Sequence, residues 1–513
     1  MTTTSPALAF EVARRRTFAI ISHPDAGKTT LTERLLLLGG AIHVAGAVKA
    51  RKASRYAVSD WMEIERQRGI SVTTSVMQFE YGGCAVNLLD TPGHEDFSED
   101  TYRVLSAVDC ALMVIDAAKG IEARTLKLLE VCRAHDLPIL TFVNKLDRDA
   151  REPMELRDEV ERALGTTAVP VTWPVGMGRT FTNVCRVGER VARPLRTVES
   201  ENQAVDASPA RARQELQLLS EALPRLDRDA VLAGRQTPIF FGSALKGTGV
   251  QEVLEGLIEL GSPPRSRRAL ERWVGPDEER LSGFVFKIQA NIDPAHHDRI
   301  AFVRICSGRF ERGMRLRNCR SGRELRTNSV VAFLARRRDP IEQAYAGDII
   351  GIPNHGVINL NDTLTTGEVL RFPPLPVFAP ELFRRVDLAD PLRGKQLRIG
   401  LAQLSEEGAI QVVVPRSGMG FLLGAAGPLQ FDVVSDRLLR EYRVPVALAP
   451  TPYASSWWVS AEDERELDDF VTSNASRIAY DPAEEPLYLA NSEFELEAIR
   501  KRWPRVRLDR RRG

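Results

Sequence analysis

The feature that most constrains this 513-residue chain is a glycine-lysine loop between an apolar segment and a helix. The apolar segment 17–21 predicts a short buried strand, and 31–38 predicts a helix that ends at Gly39 and Gly40. Between them, 22–30 reads Ser-His-Pro-Asp-Ala-Gly-Lys-Thr-Thr. Further strand and helix patterns alternate down to about residue 147. This order predicts a parallel sheet with helices on both faces.

The loop carries residue types that suit a phosphate group. Gly27 lets the backbone come close, Lys28 can reach the β- and γ-phosphates, and the Thr29 hydroxyl can bind Mg²⁺. The first position of this pattern is usually glycine but is Ser22 here, so a helix with good capping residues remains the alternative. We predict that the whole loop lines a nucleotide site: Ser22, His23, Pro24, Asp25, Ala26, Gly27, Lys28 and Thr29.

A second candidate segment follows the apolar run 84–89 and reads Asp90, Thr91, Pro92, Gly93, His94. An aspartate at the end of the strand beside the phosphate loop can hold Mg²⁺, directly or through water. The N–H of Gly93 could sense a γ-phosphate. The alternative is an ordinary Thr-Pro-Gly turn with an aspartate cap.

Two more segments suit a guanine base. After the apolar run 138–143 come Asn144, Lys145, Leu146 and Asp147, and Ser243, Ala244 and Leu245 follow the run 238–241. A carboxylate can accept from both N1–H and the exocyclic amine of guanine, a pair of donors that adenine lacks. Asn144 can contact the other edge, the Lys145 stem can cover the base, and a backbone N–H of 243–245 could meet guanine O6. Alone, each segment is also common as a surface turn.

The order of these four segments is more informative than any one of them. Each lies at the end of a predicted strand, and ligands of parallel α/β sheets bind outside the carboxyl ends of the strands. We therefore predict a guanine-specific P-loop GTPase. An ATPase or a kinase would leave the Asn-Lys-Leu-Asp segment unexplained.

The remaining patterns indicate a multidomain chain. The stretch between Asp147 and Ser243 is too long for one crossover, so a GTP-binding domain over 1–262 is expected to contain an inserted subdomain around 150–235. Short β patterns and glycine turns predict a β-barrel domain over 280–372. Mixed helices and strands over 378–513 predict an α+β, ferredoxin-like domain.

Composition narrows the class further. Apolar residues make up 43% and charged residues 27%, and the net charge is +1, which fits a soluble globular protein rather than a disordered one. No apolar run reaches the length of a membrane span, and the six dispersed cysteines form no C-x-x-C pair, so we expect a cytoplasmic protein with reduced thiols. The basic stretch 500–512 and the pair Trp457-Trp458 could contact RNA, or could be a solvated tail and a core strand.

With these motifs, the chain resembles the translational GTPases and, within them, the class II peptide chain release factors. Segments 60–71 and 90–97 look like switch I and switch II of that superfamily. The resemblance to class II release factors runs from 16 to about 435. It is carried by five segments: 21–30, 69–75, 283–291, 378–385 and 403–408.

The resemblance implies roles for individual residues. Thr29, Ser71 and Asp90 would be the Mg²⁺ ligands, with Thr73 or Thr74 as alternatives to Ser71, and His94 would orient the attacking water. GTP and GDP would be the bound nucleotides. The implied partners are the ribosome, both its RNA and its proteins, and the class I release factors that this family drives off after peptide release.

Three other functions compete with this interpretation. An elongation translocase carries two further domains, for which 513 residues leave no room. A carrier of tRNA resembles a GTPase domain followed by two β-barrels, whereas 380–513 reads as α+β. Another ribosome-associated GTPase, a stress or assembly factor, is excluded least well. A monomer is the default expectation.

Overall fold

The computed structural model describes residues 5–42, 72–187, 209–290, 299–334, 337–375, 377–418 and 420–512. In chain order these residues form an α/β part, a β-rich part and an α+β part. The predicted multidomain fold class is therefore confirmed. Within the described ranges, no helix has the length and apolar character needed to cross a membrane.

The α/β part is built on one twisted sheet whose strand order is β2-β3-β1-β4-β5-β9-β6. Every pairing is parallel except the hairpin β2–β3. Helices pack on both faces, so the central strands are buried on two sides and read as unbroken apolar runs. The strands are β1 Arg15–Ser22, β2 Ser75–Tyr81, β3 Cys84–Asp90, β4 Cys110–Asp116, β5 Ile139–Asn144, β6 Thr167–Pro170, β7 Thr172–Val175, β8 Asn183–Arg186 and β9 Gln236–Phe241. The helices are α1 Pro6–Ala13, α2 Lys28–Leu38, α3 Ser98–Ser106, α4 Ala123–Ala134, α5 Pro153–Leu164, α6 Pro209–Ala222, α7 Arg228–Leu232 and α8 Val250–Leu260.

The segment expected as an inserted subdomain contributes to the main sheet. Its strand β6 pairs in parallel with β9, and its antiparallel hairpin β7–β8 packs beside them. The Trp173 ring lies edge-on to Phe241 at 5.3 Å. The inserted residues thus support the strand that leads into Ser243 and Ala244.

The middle part is a set of mostly antiparallel strands with its own core. Helix α1 packs there too, burying Leu8 and Val12 among the barrel side chains. The linker strands are β10 Arg267–Arg268 and β11 Trp273–Val274. The barrel strands are β12 Ser282–Ala290, β13 Arg299–Ser307, β14 Arg309–Glu311, β15 Arg315–Asn318, β16 Glu324–Arg326, β17 Val331–Leu334, β18 Arg337–Pro340, β19 Gln343–Tyr345, β20 Ile349–Pro353 and β21 Thr363–Thr365.

The α/β part and the barrel share a polar interface. Strand β17 pairs with β2 through Leu334 and Met77, which joins the two sheets into one. Arg304 of the barrel forms an ion pair with Asp109, and both side chains are 1% exposed. A buried charge that loses its partner costs about 3–5 kcal/mol, so this pair fixes how the two parts meet.

The C-terminal part contains two consecutive βαββαβ units, where one ferredoxin-like domain was predicted. The first has strand order β26-β23-β25-β24 and the second β28-β29-β27-β30, so both have the ferredoxin-like arrangement. Pairing of β24 with β28 fuses them into one eight-stranded sheet. The first unit contains β23 Leu382–Leu388, α9 Gly394–Glu406, β24 Gln411–Pro415, β25 Leu422–Ala425, α10 Pro428–Tyr442 and β26 Val446–Pro450. The second contains β27 Ser455–Ala461, α11 Glu464–Ser473, β28 Ile478–Tyr480, β29 Pro486–Ala490, α12 Glu493–Arg502 and β30 Val506–Asp509.

A short ladder closes the C-terminal part on itself. Strand β22, Val377–Phe378, lies where the chain enters this part, and β31, Arg511–Arg512, lies at its end. The two strands pair antiparallel. The basic stretch 500–512 is therefore built into the end of a helix and two short strands, not a frayed tail.

Candidate nucleotide site

The four predicted segments meet at one edge of the α/β sheet. The phosphate loop follows β1, segment 90–94 begins at the end of β3, segment 144–147 begins at the end of β5, and Ser243 follows β9. Since β3, β1, β4, β5 and β9 are parallel neighbours, their carboxyl ends lie side by side. Of the predicted site residues, all but Ser71 are brought to this edge. Ser71 and the switch I segment 60–71 lie outside the described residues.

Gly27 is required by both its backbone angle and its surroundings. Its φ is 94°, a left-handed value that other residues adopt at a cost. A Cβ atom there would lie 2.3 Å from Nδ2 of Asn144. The glycine therefore ends the loop and begins helix α2, whose N-terminal N–H groups point toward the site.

Lys28 and Asp90 form an ion pair at the base of the loop. Lys28 Nζ contacts Asp90 Oδ1, and the two side chains are 5% and 1% exposed. Two further buried oxygens, Asp90 Oδ2 and Ser22 Oγ, have no hydrogen-bond partner in the described part of the chain. Unpaired buried polar atoms are costly, so these positions are suited to accept a ligand.

Asn144 ties two of the loops together. Its Nδ2 donates to the Ala26 carbonyl at 2.8 Å, and its Oδ1 accepts from the Ala244 N–H at 2.8 Å. Arg34 of helix α2 adds a bond to the Leu245 carbonyl at 2.7 Å. The Asn144 amide, predicted to contact the base, is thus engaged with backbone on both sides and positions the loops instead.

The neighbouring Lys145 and Asp147 have different surroundings. Lys145 Nζ bonds Asp116 Oδ2 at 2.7 Å. Burial raises the pKa of that carboxyl, but the Lys145 hydrogen bond and charge outweigh burial, and the pKa is lowered overall. Asp147 is half-buried and makes no hydrogen bond or ion pair with any described residue. Its carboxylate is available to a ligand.

Two histidines lie at the phosphate side. His94 caps the short turn Glu95–Phe97, with Nδ1 3.1 Å from Asp96 Oδ1 and 3.3 Å from the Asp96 nitrogen. This contact orients the ring, which stays 36% exposed. His23 Nε2 lies 3.1 Å from Glu122 Oε2, so the phosphate loop is also tied to the start of helix α4.

Sequence reasoning missed the contacts that join this site to the other two parts. Asp96 Oδ2 accepts a hydrogen bond from the Leu429 N–H at 2.7 Å, in the first turn of helix α10. Gly427, just before that helix, abuts the same carboxylate: a Cβ there would lie 2.0 Å from Asp96 Cγ. Phe97 packs with Val433 in a small apolar cluster between the two parts. The sequence around Asp96 gives no local signal for a contact with Leu429, which lies 333 positions away.

A second contact joins the start of β2 to the barrel. Asp100 Oδ2 accepts from the Thr74 N–H at 2.8 Å and from its hydroxyl at 2.6 Å. Lys287 of β12 donates to the Thr74 carbonyl at 2.8 Å and lies 3.5 Å from the same carboxylate. Thr74 closely follows the segment predicted as switch I, and Thr74 itself is held by α3 and by the barrel together.

One buried cation beside the site also escaped prediction. Arg124, at the start of helix α4, is 7% exposed, and none of its three guanidinium nitrogens has a hydrogen-bond partner among the described residues. Burial lowers the pKa of this guanidinium, while Tyr102, Glu95 and Asp96 act in the opposite direction.

The fold and the four loops define a GTPase with the domain order of the translational GTPases. Residues 13–263 match the family described as the Elongation factor Tu GTP binding domain, and 280–367 match Elongation factor G domain 2. Residues 372–500 match the family described as Class II release factor RF3, C-terminal domain. A crystal structure of a Thermus thermophilus protein has a similar fold, with a TM-score of 0.73 and 24% identity over 86% of this chain and 68% of that one.

Full-length relatives make the assignment specific. Peptide chain release factor 3 of Nitrosomonas europaea is 58% identical over 98% of this chain and 97% of its own length. The same factor of Bordetella pertussis is 57% identical over 97% of this chain and 96% of its own. The chain belongs to the peptide chain release factor 3 family. It is a class II release factor, an enzyme that binds guanine nucleotide and hydrolyses GTP in translation termination.

Proposed function

We propose that this GTPase promotes dissociation of class I release factors from the ribosome after peptide release, and so stimulates termination and factor recycling. The observation that carries the proposal is the Asp96–Leu429 hydrogen bond. It joins the switch II segment directly to the C-terminal part, which is the part that matches the release-factor family. A change in the switch therefore has a direct route to the surface that would act on another factor.

In this proposal each of the four loops binds a different part of the nucleotide. Residues 22–29 hold the phosphates, with Lys28 on the β- and γ-phosphates, and segment 90–94 senses the γ-phosphate through the Gly93 N–H. Asp147 selects guanine, and its carboxylate, which pairs with none of the described residues, supports this role. Asn144, Lys145, Leu146, Ser243 and Ala244 shape the base pocket. The domain limits 1–262, 280–372 and 378–513 belong to the same proposal.

His94 is the residue we assign to the attacking water. Asp96 fixes its Nδ1 side, which leaves Nε2 for a water molecule. Phosphoryl transfer passes through a loose transition state, so holding the water in line contributes more than removing its proton. Intrinsic hydrolysis is then slow, and ribosome contacts that order His94 accelerate it.

The residues at the phosphate side fit Mg²⁺. The buried Asp90 Oδ2 lacks a hydrogen-bond partner among the described residues, and Thr29 brings a hydroxyl to the first turn of helix α2. Oxygen ligands of this kind suit Mg²⁺. We propose Thr29, Asp90 and Ser71 as the residues that hold it. When bound, the ion would neutralise charge on the phosphates.

The partners follow from the same interpretation. The family is that of a translation factor, and we propose ribosomal RNA and proteins as its docking partners, the class I release factor as its target, and a monomer in the cytoplasm as its form. A stress or assembly GTPase acting on ribosomes is the second candidate, because it would share every nucleotide contact described above.

The deciding experiment uses post-termination ribosomes that hold a fluorescently labelled class I release factor. Purified protein is added with GTP, with a non-hydrolysable analogue or with ATP, and factor dissociation is followed in time. Faster dissociation with GTP and not ATP supports the proposal, and the analogue separates displacement from this protein's own exit. Ribosome-stimulated hydrolysis without faster dissociation would reject it in favour of the stress or assembly function. Lys28→Ala serves as the matched inactive control.

A further inference from the structure

The second C-terminal unit carries a dense group of arginines and lysines at one corner. We define this basic corner as Trp457 together with Arg500, Lys501, Arg502, Arg505 and Arg510. All five cationic residues are exposed, and Trp457 is half-buried. The match to the release-factor C-terminal family covers 372–500, so Trp457 lies within it and the cationic residues of the corner lie at or beyond its end.

Much of this charge is not neutralised within the chain. In the described ranges, no carboxylate forms an ion pair with Arg500, Lys501, Arg502 or Arg505. Other arginines of the same unit are paired: Arg507 with Glu462 at 3.0 Å, and Arg512 with Asp481 at 3.0 Å. The corner therefore presents four cations without an ion-pair partner among the described residues, next to the paired Arg507 and Arg512.

Trp457 holds two of the guanidinium groups in place. The Arg500 guanidinium carbon lies 4.6 Å from the centre of the Trp457 ring, and that of Arg510 lies 5.1 Å from it. Stacking on an aromatic ring restrains an arginine while leaving its N–H groups free at the edge. Arg510 also lies 3.3 Å from Glu381, whereas Arg500 has no carboxylate partner in the described part of the chain. Such an arrangement suits planar recognition of phosphate oxygens.

Four of the corner's six residues lie in regular structure, and Arg505 and Arg510 lie in the short connections beside it. Arg500, Lys501 and Arg502 occupy the last turn of α12, and Trp457 lies in β27. Ser455–Ala461 pairs with β30, and the chain end pairs with β22. The acidic helix α11 packs against β27 and β30.

We propose that the basic corner is an RNA-binding surface that recognises the phosphate backbone. Clustered cations, one of them held on an aromatic ring, suit the closely spaced negative charges along RNA, and phosphate contacts need no particular sequence. An acidic protein segment is the competing partner, and it is made an outcome of the test below.

The test measures binding of the full chain to a 20-base-pair RNA duplex by fluorescence anisotropy across a salt series. The variant R500Q/K501Q/R502Q/R505Q removes the free cations. The control R312Q/R315Q/R371Q/R385Q removes the same charge from exposed arginines that are already paired with carboxylates. For the wild type we expect log Kd to depend steeply on log salt. The corner variant should lose up to about 3–4 units of that slope, and the control less than about one.

A second variant tests the stacking. Trp457→Leu keeps every charge, and we expect it to weaken duplex binding by a factor of about 2–5 because the two guanidinium groups are no longer held. Equal slopes for the corner variant and the wild type would overturn the proposal. So would displacement of the duplex by poly-glutamate at equal charge concentration, since that would indicate an acidic protein partner. The experiment uses neither GTP nor a release factor, so its failure leaves the proposed function standing.

Discussion

The carboxylate of Asp96 and the backbone N–H of Leu429 lie 2.7 Å apart, and this hydrogen bond joins the nucleotide edge to the first turn of helix α10. An aspartate at a helix N-terminus is favourable because it meets unpaired N–H groups and the positive end of the helix dipole. Asp96 itself also contacts His94, so one side chain touches both the residue assigned to catalysis and the C-terminal part.

A methyl group at Gly427 should break this contact. Gly427→Ala would place its Cβ 2.0 Å from Asp96 Cγ, so the carboxylate has to move away from Leu429. We expect faster amide hydrogen exchange at 429–434. Ribosome-stimulated hydrolysis should fall by roughly tenfold or more, because a hydrogen bond to a charged group contributes about 1.5–3 kcal/mol. Gly394→Ala, where a Cβ meets open space at the start of helix α9, is the control. Unchanged exchange and turnover in Gly427→Ala would contradict the coupling.

Removal of the Arg124 charge should stabilise the protein and slow the enzyme. Arg124→Met keeps most of the side-chain volume but removes a buried guanidinium that has no hydrogen-bond partner among the described residues. We expect this change to raise the free energy of unfolding by about 1–3 kcal/mol. The melting temperature should then rise by about 2–4 °C per kcal/mol. Ribosome-stimulated hydrolysis should fall, because Glu95 and Asp96 lose a nearby positive charge.

The melting temperature and the rate of ribosome-stimulated hydrolysis are compared with those of a control variant. Arg133→Met, on the same helix but exposed, is the control and should change neither quantity by much. A lower melting temperature for Arg124→Met would show that the guanidinium has a partner in solution and would contradict the expected stabilisation.

Asp147 should determine which base is bound. Asp147→Asn replaces a carboxylate acceptor by an amide, which mismatches guanine and complements xanthine. Loss of a charged hydrogen bond of about 1.5–3 kcal/mol predicts a roughly tenfold to hundredfold weaker affinity for GDP and a relative gain for XDP. Titration with fluorescent analogues of both nucleotides measures the ratio. Unchanged guanine selectivity would reject the assignment of Asp147.

The Asp100 contact should appear as a pH dependence of stability. Burial raises the pKa of this carboxyl, but the Lys287 charge and the two Thr74 hydrogen bonds outweigh burial, and the pKa is lowered overall. Because the folded pKa is below the unfolded one, the stabilisation is present above about pH 4 and is lost as the pH falls through the folded value. Asp100→Asn should lower the melting temperature at neutral pH and flatten its fall below about pH 4. The exposed Asp468→Asn should behave like the wild type throughout.

Local patterns were enough to predict the α/β part and the nucleotide edge. The strand predicted over 17–21 lies within β1, and the helix predicted over 31–38 is observed as Lys28–Leu38 with its end at Gly39. The strand-end segments could be found since phosphate and base recognition use residues that are close in sequence. The pair Trp457-Trp458 behaves as one of the predicted alternatives, with Trp458 in the core at 7% exposure.

What the sequence could not reveal depends on contacts between distant residues. The second βαββαβ unit was not predicted because its strand β28 has three residues, too few for a clear alternation. The use of the Asn144 amide by Ala26 and Ala244 depends on how three loops meet, whereas residue types alone pointed to the base as its partner. The same holds for Arg124, whose isolation is a property of the packed fold.

The ladder between β22 and β31 gives the chain end a mechanical role. Arg511 lies over the Phe378 ring at 6.0 Å, and that ring lies edge-on to Tyr102 of helix α3 at 5.5 Å. A force applied to the last residues therefore acts first on the two-residue β22–β31 ladder and on the Phe378 and Tyr102 rings, and only then on the eight-stranded sheet. Tension at the end of the chain would be delivered to helix α3, which follows the segment 90–97, by a route far shorter than the covalent path through the barrel and both βαββαβ units.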